Sequence, residues 1–568
     1  MPQTASACIA AVVATIIAAI AAQQPAPAPP PPDMSVPSGA ARVEQTSPGP
    51  RAPAVLVDAF DGLGEGFEGP SGAATLRNPS DNSLAVGPNH IVAIVNSRMA
   101  IFTKKGAQFD VSGRPIYGPV NTNHVFKDFG GQCEALNNGD AVVRYDQLAN
   151  RWLMVMPLFR RGPVRVDQPA EWKAAEAAYV SPPGRPNQPG PAILLRQPPR
   201  PEPPVEGARG RGAVPAGRGA QDGPKGPYSM CYAISAGPDP FGPYYRYEFL
   251  RPLFPDYPRP AVWSDGYYVP TSTGDDVIQK HACVADRARM LKGEPASEQC
   301  IVIDGVNFLN NADIDGPAVP PRGAPNVIMA TGGTQLQNVL EDDVVYAWKF
   351  FVDWKEPART RLAGPARIAV APYRYLCGGQ LTHCVPQPGT DRRLDAQGDK
   401  IMARLVYRRI RDRESIVAVH SVNSSAGGGA VRWYEFRIAS DRTVSLVQQG
   451  TYAPDGLFRW MASPAMDRNG NIGIGYSFGG SPHFAGQRFA GRLADDPPGR
   501  LTLRETVLVE GEGVQTGTMR WEDYTQTAID PSDDCTIWYV GDYVKKGAAS
   551  YSTRIGAFRM PGCGAASR

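Results

Sequence analysis

A cassette that recurs about seven times constrains this chain more than any other feature: an acidic residue or Trp, a short apolar run, a turn, and a second run with strand character. The stretch Trp460 to Gly470, followed by Asn471 to Ser477, shares this plan with Asp523 to Pro531, followed by Thr536 to Val540. The copies are anchored at Asp81, Asp140, Asp256, Asp313, Asp399, Trp460 and Asp523. Five of the six intervals run 50 to 63 residues once the 66-residue segment 161–226 is set aside, and the sixth, 86 residues, carries extra material around Cys377 and Cys384. A four-stranded sheet unit needs roughly 40–45 residues, so each interval holds one decorated unit. Small sheets that cannot bury their own faces stack into closed arrays. The expected architecture is therefore all-β: a single β-propeller over 54–563, with seven blades favoured and six as the alternative. The strand near Arg554 to Met560 is expected to complete a blade near the N-terminal end of the domain.

Strand signals support this class. Period-2 or continuous apolar runs bounded by turn residues occur at His90–Asn96, Arg151–Leu158, Gly266–Thr271, Asn326–Ala330, Ser415–Val422, Asn471–Ser477 and Thr536–Val540. Asn469-Gly470 is a hairpin dipeptide, because type I′ turns need positive φ at both central positions. The sole amphipathic helix signal is a weak one at Glu171–Tyr179, and 60 Gly with 57 Pro predict many long loops.

Ahead of the repeats, an apolar run from Cys8 to Ala22 ends near Ala19-Ile20-Ala21 and reads as a secretory signal peptide over 1–22. The run is short for a membrane span, which needs roughly 20 residues, so no span is expected after cleavage; an uncleaved anchor is the alternative. Residues 23–53, rich in Pro, Ala and Ser, read as a disordered stalk. The Pro-, Gly- and Arg-rich segment 161–226 reads as a disordered insertion, and 564–568 as a tail. The chain is nearly neutral, with 58 basic and 55 acidic residues. The insertion holds ten of the bases and six of the acids, so the folded part has no basic excess and nucleic-acid binding is excluded.

Removing Cys8 leaves eight cysteines, an even number that in an exported chain favours disulfides. Proximity favours Cys283 with Cys300 and Cys377 with Cys384, and Cys535 with Cys563 would tie down the C-terminal segment.

Leu84-Ala85-Val86-Gly87-Pro88-Asn89-His90, Asn138-Gly139-Asp140, Asp256-Tyr257-Pro258 with Trp263 to Tyr268, and Arg520-Trp521-Glu522-Asp523-Tyr524 resemble a family of exported bacterial β-propeller proteins of unknown function, often labelled sialidase-like. The resemblance runs from about Asn78 to Cys563 and implies a secreted or envelope propeller. A sialidase Asp-box has the form Ser-x-Asp-x-Gly-x-Thr-Trp. The nearest stretch here, Ala465 to Ile472, places Gly three residues after Asp467 and lacks the Trp.

In such an array the innermost strands line an axial channel. If the cassette begins that strand, Asp81, Asp140, Asp256, Asp313, Asp399 and Asp523 form a ring at its mouth. Converging carboxylates repel, so the ring must bind a cation, hold Arg partners or keep protons; otherwise each Asp merely caps a turn. Calcium suits such hard oxygens, and Asp313-Ile314-Asp315-Gly316 is the candidate metal stretch. Arg459-Trp460 and Arg520-Trp521 stand at matching places and offer an indole beside a guanidinium, a surface for a sugar ring, or equally a packing contact. Gly475-Tyr476-Ser477-Phe478-Gly479 is followed by a loop and not by the helix of a nucleophile elbow. These readings favour a non-catalytic module for an extracellular glycan or protein, with a glycoside hydrolase or lyase using the ring carboxylates as the alternative.

Overall fold

The computed structural model describes residues 33–73, 75–165, 167–179, 193–198, 226–272, 279–332, 343–379 and 383–564. The expected signal peptide and the first part of the stalk lie outside them. The chain is all-β. Among the described residues the strands form seven antiparallel four-stranded meanders, the fourth and fifth joined into one sheet. Their first strands are Ser83–Val86, Val142–Asp146, Ala261–Val262, Asn310–Asp315, Leu405–Ile410, Phe458–Met466 and Gln526–Ile529. Each apolar run read from the sequence falls on the second strand of a meander, as His90–Val95 does in the first.

The period of 2 explains how a wholly apolar strand is used. All six residues of His90–Val95 are buried. Val92 and Ile94 pack against Val143 and Trp152 of the second meander. Ile91, Ala93 and Val95 point the other way, onto Trp538 and Ile555 of the seventh. Successive side chains on a strand face opposite sides, so each second strand contributes to two cores, and burial continues from sheet to sheet.

Hydrogen bonds cross between neighbouring first strands. Val143 N donates to Ser83 Oγ (2.9 Å), Arg144 Nε to Pro260 O (2.9 Å), and Val262 N to Asp313 Oδ1 (2.8 Å). Asn310–Asp315 pairs in parallel with Leu405–Ile410, and Met466 N reaches Asp315 Oδ2 (3.2 Å). Thr527 N donates to Ser463 Oγ (2.9 Å), and Gln526 Nε2 to Leu84 O (2.5 Å). The seventh meander draws on both ends of the chain: Ser552–Arg559 pairs antiparallel with Val55–Gly64, whose Leu63 is fully buried.

Two segments depart from the sequence expectations. Residues 33–53 are folded against the sheets and are no stalk: Glu44–Gln45 pairs in parallel with Val444–Tyr452, and Gln45 exchanges two hydrogen bonds with Leu501. Asn423 Nδ2 donates to Asp33 O (2.8 Å). Composition could not show this, because single side chains some 400 residues away in sequence hold the segment. Within 161–226, the described part is likewise structured. A helix at Ala170–Tyr179 precedes a strand at Ile193–Leu195, which adds to the edge strand Glu298–Asp304. Trp172 is fully buried against Leu195 and Val302, and its Nε1 donates to Arg196 O (2.8 Å).

Disulfides join Cys133 to Cys231, Cys283 to Cys300, Cys377 to Cys384 and Cys535 to Cys563. The first clips the short helix Gly131–Ala135 onto the third strand of the second meander. No helix among the described residues is long and apolar enough to cross a membrane.

The docked helix yields a direct expectation. Trp172→Ala should lower the unfolding free energy by about 3–5 kcal/mol, the range for a buried aromatic truncation, read as a lower urea midpoint at unchanged slope. A change below about 0.5 kcal/mol, typical of exposed sites, would show that the helix carries no packing load.

Candidate active site at the head of the first strands

The turns that lead into the first strands hold unusual backbone. Asp81 (φ 47°), Tyr257 (φ 57°), Gln397 (φ 39°), Glu522 (φ 58°) and Asp523 (φ 65°) all occupy the left-handed region. Each such residue costs of order 1–3 kcal/mol and persists only where its surroundings dictate it. Here the dictation is visible: Asp81 N donates to Glu522 O (2.8 Å), and Tyr257 Oη to Asp523 O (2.6 Å). The turns of different meanders thus fix one another.

These turns bring Asp81, Asp140, Asp256, Asp399 and Asp523 together with Arg520. Asn96 Nδ2 bridges Asp81 Oδ2 (2.5 Å) and Asp140 Oδ1 (3.5 Å). Asp523 accepts from Arg520 and Gln397. Lys400 Nζ lies 2.9 Å from Asp399 Oδ1 and donates to Gln397 Oε1 (2.7 Å). Asp81, Asp399 and Asp523 are buried, whereas Asp140, Asp256 and Arg520 are partly exposed and mark the open side. Asp395, Gln397, Lys400, Lys280, Tyr257, Arg259 and Tyr524 belong to the same cluster but escaped the sequence reading. Asp395 lies 3.3 Å from Arg520 Nε. A signal was present in the run Asp395-Ala396-Gln397-Gly398-Asp399-Lys400, where three charged residues crowd one loop.

The electrostatics follow from too many acids in too little water. Burial, with Asp256 and Asp523 beside it, pushes the Asp140 carboxyl up to about 8. Burial and the Asp140 and Asp523 charges hold Asp81 well above the usual carboxylate range, and burial with Asp523 does the same to Asp395. Burial pulls Lys280 well down. Directly behind the cluster, Glu522 and Asp542 form a second acid pair. Burial raises Glu522 well above normal and Asp542 to about 7. Ser477 and Gln487 donate to the former, Ser80 and Asn82 to the latter.

Other expected site residues sit elsewhere. Asp313 is not at the head of its strand but in the middle, and Asn307-Phe308 occupies the corresponding turn. Arg404 Nε binds Asp313 Oδ2 (2.7 Å) and its other end binds Asp315; Arg144 Nε adds a contact of 3.3 Å to Asp313. Both carboxylates, the residues expected to hold calcium, are therefore ion-paired with guanidinium groups. Among the described residues, the acidic, His and Cys side chains close enough to share an ion are Cys283, Glu298 and Cys300, and the two cysteines are bonded to each other. The Trp surface is also corrected. Trp460 and Trp521 are 0 % and 1 % exposed, 6.2 Å apart, and Trp521 Nε1 donates to Ser477 Oγ (2.9 Å). Arg459 is taken by Asp455 and Glu505.

No family model matches the chain, and no curated protein matches it. Among solved structures, a protein of unknown function from Dyadobacter fermentans aligns at 9 % identity over 89 % of this chain and 99 % of its own, with a TM-score of 0.32. An exo-β-1,3-galactanase from Clostridium thermocellum aligns at 9 % identity over 89 % and 97 %, TM-score 0.28. An intramolecular trans-sialidase from Ruminococcus gnavus aligns at 10 % identity over 75 % and 94 %, TM-score 0.30. Likenesses at this level carry no argument about fold or activity.

The raised carboxyls predict a stability trend. As pH rises through 7 to 8.5, Asp542 and Asp140, pushed up to about 7 and about 8, give up protons that the unfolded chain, titrating near 4, has already released, and Asp81, Asp395 and Glu522 are shifted in the same direction. The folded state then binds more protons, and stability falls as pH rises. Lys280, low in the folded state, opposes this with one proton. His281 and His420, also lowered, act below about 6.5 and do not contribute in this window. The melting temperature should fall across pH 7 to 8.5, and Glu522→Gln should flatten the fall. A rising melting temperature would contradict the assigned protons.

Proposed function

We propose that the chain is a closed seven-bladed β-propeller of the extracellular space or envelope, and that the acid cluster at its axis hydrolyses glycosidic bonds in a glycan. Closure is supported by the hydrogen bonds between first strands of successive meanders, including Gln526 back to Leu84, and by the chain's two ends sharing one sheet. The disulfides and the apolar run at Cys8–Ala22 support export.

The observation that carries the hydrolytic reading is Asp140. Its carboxyl is partly exposed, is pushed up to about 8, and stands beside Asp523, which is ion-paired with Arg520. Two carboxyls whose surroundings pull them apart are the pattern of an acid with an ionised partner. Glycoside cleavage needs such a pair. Asp140 donates its proton to the departing glycosidic oxygen, and Asp523 faces the positive charge that develops on the sugar. Water then adds its hydroxyl to the anomeric carbon and gives its remaining proton to the Asp140 carboxylate, restoring the acid, and Asp81, sharing Asn96 with Asp140, helps hold the proton on that side. The non-catalytic binding reading rested on exposed indoles at Trp460 and Trp521, and their burial removes that support.

Oligosaccharide cleavage, followed by new reducing ends, tests this. Asp140→Asn should lower kcat by about 10²-fold or more, the usual scale of general acid catalysis, with KM little changed. In the native protein kcat/KM should fall as pH rises through about 8, where Asp140 loses its proton. Glycans that are retained but never cut by the native protein would return the site to a binding role.

A further inference from the structure

Among the described residues, Arg259 is the cation of the axial cluster left without an acceptor. It is 5 % exposed, and none of Nε, Nη1 and Nη2 has a hydrogen-bond partner. Its guanidinium lies 4.0 Å over the Tyr257 ring and 5.5 Å from that of Tyr524. The acids whose charge reaches it, Asp523 and Asp399, sit in ion pairs with Arg520 and Lys400, and none of their oxygens hydrogen-bonds to its fork. From the channel side it meets like charge in Arg144. A guanidinium carries five N–H donors in a planar fork. Burying one with no acceptor costs far more than a typical hydrogen bond contributes.

The backbone holds this group in place at the cost of flexibility. Arg259 lies between Pro258 and Pro260, follows the left-handed Tyr257, and donates its own N–H to Pro270 O (3.3 Å). The two flanking prolines fix their own φ and restrict the residues before them. Tyr257 is anchored by its bond to Asp523 O, so the same contact that shapes the acid cluster sets the face against which Arg259 stacks. Tyr524 Oη, beside it, also has no partner. A rigid fork with a free phenol next to it needs an acceptor with at least two oxygens in one plane and a negative charge to balance the buried cation. A lone sugar hydroxyl supplies neither.

We propose that Arg259 receives an oxyanion carried by the glycan, either a uronate carboxylate or a sulfate ester, so that the substrate is an acidic polysaccharide. This rests on the reading of the cluster as a glycan site and narrows it. The neighbouring carboxyls then meet the hydroxyls of the same sugar as acceptors, while the guanidinium meets its charge. Bidentate recognition of an oxyanion through two of its oxygens is what distinguishes Arg from Lys.

The test is calorimetric binding of three oligosaccharides of equal length, one neutral, one uronate-bearing and one sulfated, to the native chain, Arg259→Gln and Arg259→Lys. At least one acidic ligand should bind the native chain tenfold or more tightly than the neutral one, and the stronger of the two identifies the oxyanion. Arg259→Gln should abolish that preference; Arg259→Lys, which keeps charge but not the fork, should fall between. Equal affinity for neutral and acidic ligands, or equal loss of both in Arg259→Gln, would overturn the inference and leave the glycan reading intact. If no oligosaccharide binds but free glucuronate or inorganic sulfate raises the melting temperature of the native chain and not of Arg259→Gln, the anion site stands and the glycan reading falls. If Arg259→Gln does not fold, Arg259→Lys and the same melting-temperature shifts decide.

Discussion

Everything at the axis depends on Arg404. It spans from the fifth meander to Asp313 and Asp315 on the fourth, and its Nη1 reaches Thr527 O on the seventh (3.2 Å). Asp313 in turn accepts from Val262 N, on the third, and contacts Arg144, on the second. Five of the seven first strands therefore meet through one buried ion lattice. Two guanidinium groups and two carboxylates balance each other. Breaking a buried pair by removing one partner leaves an unanswered charge and typically costs 3–5 kcal/mol, while the interior of each meander would be unaffected.

That floor determines the character of the cluster beside it. Arg404 and Arg144 are themselves buried, and the carboxyls at the strand heads are buried at Asp81, Asp399 and Asp523 and partly exposed at Asp140 and Asp256, beside Arg520. Desolvation is the first cause of the raised Asp81, Asp140 and Asp395, ahead of mutual repulsion. An acid that keeps its proton near neutrality is a consequence of what lies beneath it, and the residues beneath it touch no ligand.

How much of this was legible in the sequence divides along physical lines. The second strands were legible because they are buried on both faces and form unbroken apolar runs, as in His90–Val95. The anchor aspartates were legible because a turn that needs left-handed backbone before an inner strand favours Asp or Asn, and Asp81 and Asp523 sit there with positive φ. Asp313 misled for an instructive reason: the fourth meander places Asn307 and Phe308 in the turn, and the acid that fits the cassette lies six residues further on, in the strand. Trp460 and Trp521 misled because a Trp ahead of a strand looks the same whether it faces a channel or packs between sheets. The folded residues 33–53 were hidden altogether, since pairing with Val444–Tyr452 and with Leu501 leaves no periodic trace.

Arg259 shows where local reading stops. It directly follows the run Asp256-Tyr257-Pro258, three residues past an anchor, yet nothing in its neighbours marks it as different from any other arginine. Its meaning comes from contacts made by other parts of the chain. Arg520 and Lys400, from two other meanders, have claimed the carboxylates that would otherwise pair with it. A buried guanidinium becomes a site when no acceptor of the turns around it reaches its fork, and that is a property of the assembled turns and of no single one. The same holds for Asp140, whose proton is set by Asp256, Asp523 and burial together. A chain that reads as a row of similar cassettes thus acquires unlike residues at like positions, and chemistry arises from the differences between the repeats while the fold arises from their likeness.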